Sequence, residues 1–104
     1  MTNEELQERA KKCQQIAERI LKEKGMNTYR AVLKLDDKVR IVIEYYQVHP
    51  RFTQNDPWHF ECDFIFHPNN TMEYWAIGST SWNYNFSIEQ FEKLMNDVGN
   101  YYIV

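Results

Sequence analysis

Residues 58–67 read WHFECDFIFH and carry the clearest strand pattern in the chain. A period of two places alternate side chains on opposite faces of a strand. One face receives Trp58, Phe60, Cys62, Phe64 and Phe66. The other face is mostly polar, apart from Ile65. This stretch therefore predicts an antiparallel sheet with one buried face and one polar face.

Further strands are predicted on both sides of this stretch. In residues 29–35 the side chains alternate between a more apolar and a more polar set, which predicts a half-buried strand. Asp36 and Asp37 form a turn. The run 39–48 that follows is apolar on both faces and predicts a central strand. A loop is expected over 49–57, and a turn at 67–71 leads to a strand at 72–77. Residues 79–86, with alternating Trp82 and Tyr84, are either a short fifth strand or an ordered loop.

Two amphipathic helices enclose the predicted strands. Thr2 and Glu5 form a capping box, and Gly25 ends the first helix, which is predicted at about residues 3–24. Ser87 and Gln90 open the second helix in the same way. The first apolar stripe is Leu6, Ala10, Cys13, Ala17 and Ile20, and the second is Ile88, Phe91, Leu94, Met95 and Val98, closed by Gly99.

The predicted class is α+β, with four to five antiparallel strands between an N-terminal and a C-terminal helix. The order is α-β-β-β-β-(β)-α-(β), where the last strand is the apolar tail 100–104. The 104 residues fit one domain, 1–104. We expect no leader peptide, no membrane span and, with only two cysteines, a cytoplasmic protein with reduced thiols.

A polar cluster on the central stretch is the one candidate for chemistry. His59, Glu61, Asp63 and His67 share a strand face, but a metal or acid/base site would need a further ligand such as Glu44 or Glu73. Alternation alone also predicts a polar face in water. Cys62 points the other way, and no glycine-rich phosphate loop is present. We predict no catalytic residue, no metal and no cofactor.

Charge is unevenly distributed along the chain. Residues 1–51 carry +3 and residues 52–104 carry −6, and the second half holds 13 of the 16 aromatic residues. The fold either mixes the two halves on its surface or presents an acidic, aromatic face to a basic partner. The predicted partner-binding residues on that face are Glu61, Asp63, Glu73, Trp75, Trp82 and Tyr84.

Apolar residues also fall on the predicted sheet face that points away from the helices. These residues are Val42, Tyr46, Ile65, Trp75 and Ile77, and they lie among charged neighbours. A rimmed apolar patch of this kind indicates a contact surface. Either a loop or the tail of the chain covers it, or it mediates binding and self-association as a homodimer.

The function predicted from these features is a small non-enzymatic protein-binding inhibitor. A double-stranded RNA-binding domain has a similar element order but needs a basic surface, so direct nucleic-acid binding is excluded. An acidic, aromatic chain suits a basic, nucleic-acid-handling protein as target, and in general character it resembles bacteriophage anti-CRISPR and toxin immunity proteins. The alternatives are a small-molecule or metal-binding module and a small hydrolase that uses the same polar face.

Overall fold

A five-stranded antiparallel sheet carries both helices on one face in the computed structural model, which describes residues 1–46, 58–76 and 80–98. The elements are α1 (Asn3–Glu23), β1 (Tyr29–Leu35), β2 (Val39–Tyr46), β3 (Trp58–Phe66), β4 (Thr71–Ala76), β5 (Thr80–Asn85) and α2 (Ile88–Asp97). The predicted α+β class and element order are confirmed, and the fifth strand forms. The loop 49–57 and the tail strand 100–104 lie outside the described residues.

Both helices begin at the residues that the capping patterns predict. Thr2 Oγ1 accepts a hydrogen bond from the Glu5 amide at 3.2 Å, and the Glu5 side chain bonds back to the Thr2 amide. Ser87 Oγ accepts from the Gln90 amide at 3.0 Å. Past the end of α1, Gly25 adopts a φ of 71°, a left-handed conformation that glycine tolerates without steric cost.

The strands follow one another in space in the order β1-β2-β3-β4-β5. Each adjacent pair is antiparallel. Because the spatial order equals the order along the chain, every connection joins neighbouring strands. Asn70, with a φ of 65°, provides the left-handed residue of the turn between β3 and β4. The predicted turn at residues 67–71 is therefore confirmed.

The uniform alternation predicted for β3 is interrupted. Ile43 pairs with Cys62, but the next β2 residue, Glu44, pairs with Phe60. The backbone of β3 therefore has one extra residue, Glu61, at this point, as in a β-bulge. A period of two does not hold across such an insertion, so residues on its two sides do not follow a single face pattern.

The core lies between the helices and the sheet face that they cover, here called the inner face. Phe64, Ile41 and Ile43 are fully buried there, and Phe91 of α2 packs on Phe64 with 4.8 Å between ring centroids. Tyr29, Leu33 and Tyr74 also belong to this cluster or pack against it. Phe86 packs on Phe66 with 5.9 Å between ring centroids and lies under the Arg9 guanidinium at 4.1 Å.

Candidate functional site on the outer sheet face

The face of the sheet opposite the helices, here called the outer face, is defined by two rows of paired residues. One row runs from β1 to β5 through Val32, Val42, Asp63, Trp75 and Ser81. The adjacent row runs through Lys34, Arg40, Ile65, Glu73 and Asn83. Opposite residues in an antiparallel pair lie on the same face, so the register alone brings these side chains together.

A buried ion pair joins β2 to β3 on this face. Arg40 Nη1 donates to Asp63 Oδ2 at 3.1 Å, and Arg40 Nη2 donates to Asp36 Oδ2 at 3.1 Å. The Asp63 side chain is only 9% exposed, and burial raises the pKa of its carboxyl despite the neighbouring guanidinium. Asp63 Oδ1 and Arg40 Nε are buried without a hydrogen-bond partner. The pair is thus only partly satisfied. Breaking it on one side is costly because it leaves a buried charge uncompensated.

A second carboxylate on the outer face is held by two cations of β1. The closest contact of Glu44 is with Arg30, at 2.7 Å to Nη2 and 2.8 Å to Nε, and Lys34 Nζ lies 3.9 Å away. Arg30 and Glu44 are directly opposite in the register of β1 and β2. This carboxylate is therefore neutralised by residues of the basic first half of the chain.

The third carboxylate organises a cluster that we call the Glu73 cluster, consisting of Glu73, His67 and Trp75. Glu73 Oε2 accepts a hydrogen bond from Trp75 Nε1 at 2.7 Å, and Glu73 Oε1 lies 2.7 Å from His67 Nε2. These two bonds, led by the indole, hold the pKa of Glu73 below its usual range. All three side chains are half-buried, so the cluster is accessible from solvent while its geometry is fixed.

The described outer face is therefore balanced in charge rather than acidic. Arg30, Lys34 and Arg40 from the first half of the chain lie among Glu44, Asp63 and Glu73. Of the two arrangements left open by the sequence, mixing of the halves is the one that this face shows. The reason is the order of the sheet, since β1 brings Arg30 and Lys34 beside β2, and β2 places Arg40 beside the acidic strand β3.

The structure also divides the predicted partner-binding set. Trp75, Glu73 and Asp63 lie on the outer face, but Trp82 pairs with Tyr74 and Tyr84 pairs with Met72, both on the inner face. The set therefore does not form one surface. Trp82 is 43% exposed at the rim of the core, whereas Tyr84 packs partly against it. The side chain of Glu61 lies outside the described part of the structure.

Two members of the predicted self-association patch are buried within a single chain. Val42 is 2% exposed and Ile65 is 6% exposed, so neither offers surface to a second copy. Tyr46 and Trp75 remain half-buried, and Ile77 is not among the described residues. An apolar side chain between long charged neighbours is shielded from solvent by their aliphatic stems. Ile65 lies between Arg40 and Glu73 in the register.

The polar cluster proposed for metal or acid/base chemistry is only partly observable. Asp63 and His67 both lie on the outer face, but each has its own partner, Arg40 and Glu73 respectively. The side chains of His59 and Glu61 are not described. Within the ranges 1–46, 58–76 and 80–98, no group of three or more His, Cys, Asp or Glu side chains converges.

Both thiols lie in the core on the inner side of the sheet. Cys13 and Cys62 are both reduced and buried. Burial raises the pKa of the Cys13 thiol to about 12, which suppresses the nucleophilic thiolate.

Sequence reasoning missed Arg40 as the partner of Asp63 and Trp75 as the donor to Glu73. The second pairing had a signal, because Glu73 and Trp75 are two residues apart on one strand and share a face. The first had none, since it depends on the register between β2 and β3.

The chain matches no protein-family model, no curated protein and no solved structure. No helix in the described part of the chain combines the length and apolar character needed to cross a bilayer.

Proposed function

We propose that this chain is a small non-enzymatic protein-binding inhibitor that contacts its target through the outer sheet face. The observation that carries the proposal is the Glu73 cluster, in which one carboxylate fixes an indole and an imidazole at 2.7 Å each. Binding costs less entropy when the contacting side chains are already ordered. A half-exposed tryptophan held in this way is typical of a recognition surface.

The residue types around the cluster support a protein as the ligand. Tryptophan and arginine are enriched among the residues that dominate protein interfaces, and Trp75 and Arg40 both occupy this face. Both are carried by central strands rather than loops, which keeps their positions rigid. Asp63 is too buried to touch a partner, and in this proposal its role is to position Arg40.

The finer proposal concerns the target, which we take to be a basic nucleic-acid-handling protein. It is supported by the net charge of −3 and by the −6 of residues 52–104. Because the described outer face is balanced, the attraction would come from the field of the whole molecule and would act mainly on the association rate. Anti-CRISPR and immunity proteins act in this general manner, in the cytoplasm, where the buried thiols of this chain would stay reduced.

The experiment compares two tryptophans on opposite faces of the sheet. Tagged wild-type, Trp75→Ala and Trp82→Ala proteins are used as bait in host lysate, and captured proteins are quantified by mass spectrometry. We expect a basic protein to be captured by wild type and by Trp82→Ala, and to be reduced at least tenfold with Trp75→Ala. Equal capture by all three baits, or loss with Trp82→Ala alone, would contradict the proposed surface.

A salt series on the captured complex tests the charge argument separately. The association rate should fall as salt rises from low to physiological concentration, because screening shortens the range of attraction. An association rate that does not respond to salt would contradict a basic target but not the outer face as the contact surface.

A further inference from the structure

Among the described strands, β5 lies at an edge of the sheet, and its own sequence lacks the residues that usually protect an edge. Its register partner is β4, and no other described strand pairs with it. Proteins commonly block such edges with charged residues or proline. The opposite edge strand, β1, carries Arg30 and Lys34, whereas Thr80–Asn85 contains neither a charge nor a proline.

The hydrogen-bond pattern shows which backbone groups of β5 point outward. The Phe86 amide donates to the Asn70 carbonyl at 2.9 Å, so this pair is of the hydrogen-bonded type. These pairs alternate along an antiparallel ladder, and therefore Tyr84 and Trp82 also direct their backbone groups to β4. The amides and carbonyls of Ser81, Asn83 and Asn85 then point away from β4.

We propose that β5 pairs antiparallel with β5 of a second copy of this chain, on a twofold axis through Asn83. This register places Asn83 opposite its own copy and Ser81 opposite Asn85 of the second copy. All three outward-facing residues then take part in hydrogen-bonded pairs, which gives about six backbone bonds. The two sheets become one, with both helical layers on the same side.

The side chains on the inner face fit the same register. Trp82 is 43% exposed and rests on Tyr74 with 5.7 Å between ring centroids. Pairing about Asn83 places Trp82 opposite Tyr84 of the second copy, and by symmetry this contact occurs twice. Both are non-hydrogen-bonded pairs, in which opposite side chains come closest, and aromatic cross-strand pairs are stabilising. The exposed face of Trp82 is thereby covered.

The first test is the mass of the protein as a function of concentration, measured by sedimentation. Wild type should shift toward twice its 12.7 kDa mass as concentration rises to the millimolar range. Asn83→Pro removes an amide that the ladder with β4 does not use, so the monomer should keep its circular dichroism spectrum and lose dimerisation. Asn83→Thr, which keeps the amide, is the matched control and should still dimerise.

Crosslinking tests the register and does not depend on the proline variant. Asn83→Cys lies on the axis, whereas in Ser81→Cys the two copies are four residues out of register, about 13 Å apart along the strands. A short bismaleimide should therefore link the first variant and not the second. Wild type, whose Cys13 and Cys62 are buried, measures the background crosslinking. A wild type that stays monomeric, dimerisation by Asn83→Pro, or equal crosslinking of both variants would overturn the proposal.

Discussion

Removing the guanidinium of Arg40 should destabilise the protein strongly and in a pH-dependent way. Arg40→Met leaves the carboxylate of Asp63, with a side chain that is 9% exposed, without the guanidinium that donates to it. Breaking one side of a fully buried pair costs roughly 3–5 kcal/mol. Because the Arg40 side chain keeps 28% exposure, we expect the low end, about 3 kcal/mol at neutral pH.

The sign of the pH effect follows from the raised pKa of Asp63. A carboxyl whose pKa is raised by burial stabilises the fold when protonated, and this contribution is lost as pH rises through the folded-state pKa. Loss of Arg40 removes the ion pair that opposes this rise in the pKa of Asp63. The deficit of Arg40→Met should therefore be largest at neutral pH and shrink as pH falls toward about 4.

Urea unfolding followed by circular dichroism measures both effects. A loss of about 3 kcal/mol lowers the midpoint by about 1.5 M, if the slope is about 2 kcal/mol/M. Arg30→Met is the matched control, since it breaks a more exposed pair with Glu44 and should cost under about 1 kcal/mol. Arg40→Met/Asp63→Leu should recover most of the loss. Equal losses in both single variants, or a deficit independent of pH, would refute the reasoning.

Three further outcomes follow from the described contacts. Cys13 and Cys62 should not react with Ellman's reagent at pH 8 until the protein is unfolded, and rapid reaction of the native protein would contradict their burial. Glu73→Gln should destabilise the protein at neutral pH and progressively less as pH falls below about 4, because a lowered pKa contributes stability that is lost as pH falls through it; parallel urea titrations would show this. Lys24→Met removes an ammonium that lies 2.6 Å and 2.9 Å from two carbonyls at the end of α2. The substitution should lower the free energy of unfolding by about 1 kcal/mol and speed amide hydrogen exchange at that end of the helix. Unchanged exchange would be evidence against the contact.

Local signals in the sequence were sufficient for the elements and for the inner face. Thr2 with Glu5 fixes where α1 begins, and Gly25 fixes where it ends, because capping and left-handed glycine act within a few residues. Ile41, Val42 and Ile43 are all buried, which confirms that β2 is covered on both faces at its centre.

The candidate site was harder to predict because it depends on contacts between strands. The extra residue Glu61 shifts the pairing of β2 and β3, and no composition rule locates such an insertion. Asp63 was expected at the surface as an acidic contact residue and is instead buried against Arg40, 23 positions away in the sequence. Burial of Ile65 likewise depends on neighbours from other strands.

The most direct test of the outer face as the contact surface is the behaviour of individual indole groups on binding. In two-dimensional nitrogen–proton spectra each tryptophan gives its own indole signal, assigned with Trp75→Phe and Trp82→Phe. Trp75 donates its indole proton to Glu73 at 2.7 Å, so a target that lands on this cluster must change its environment. Addition of the captured target in equal amount should shift or broaden the Trp75 signal and leave the Trp82 signal in place. A shift of Trp82 with an unchanged Trp75 would contradict the account.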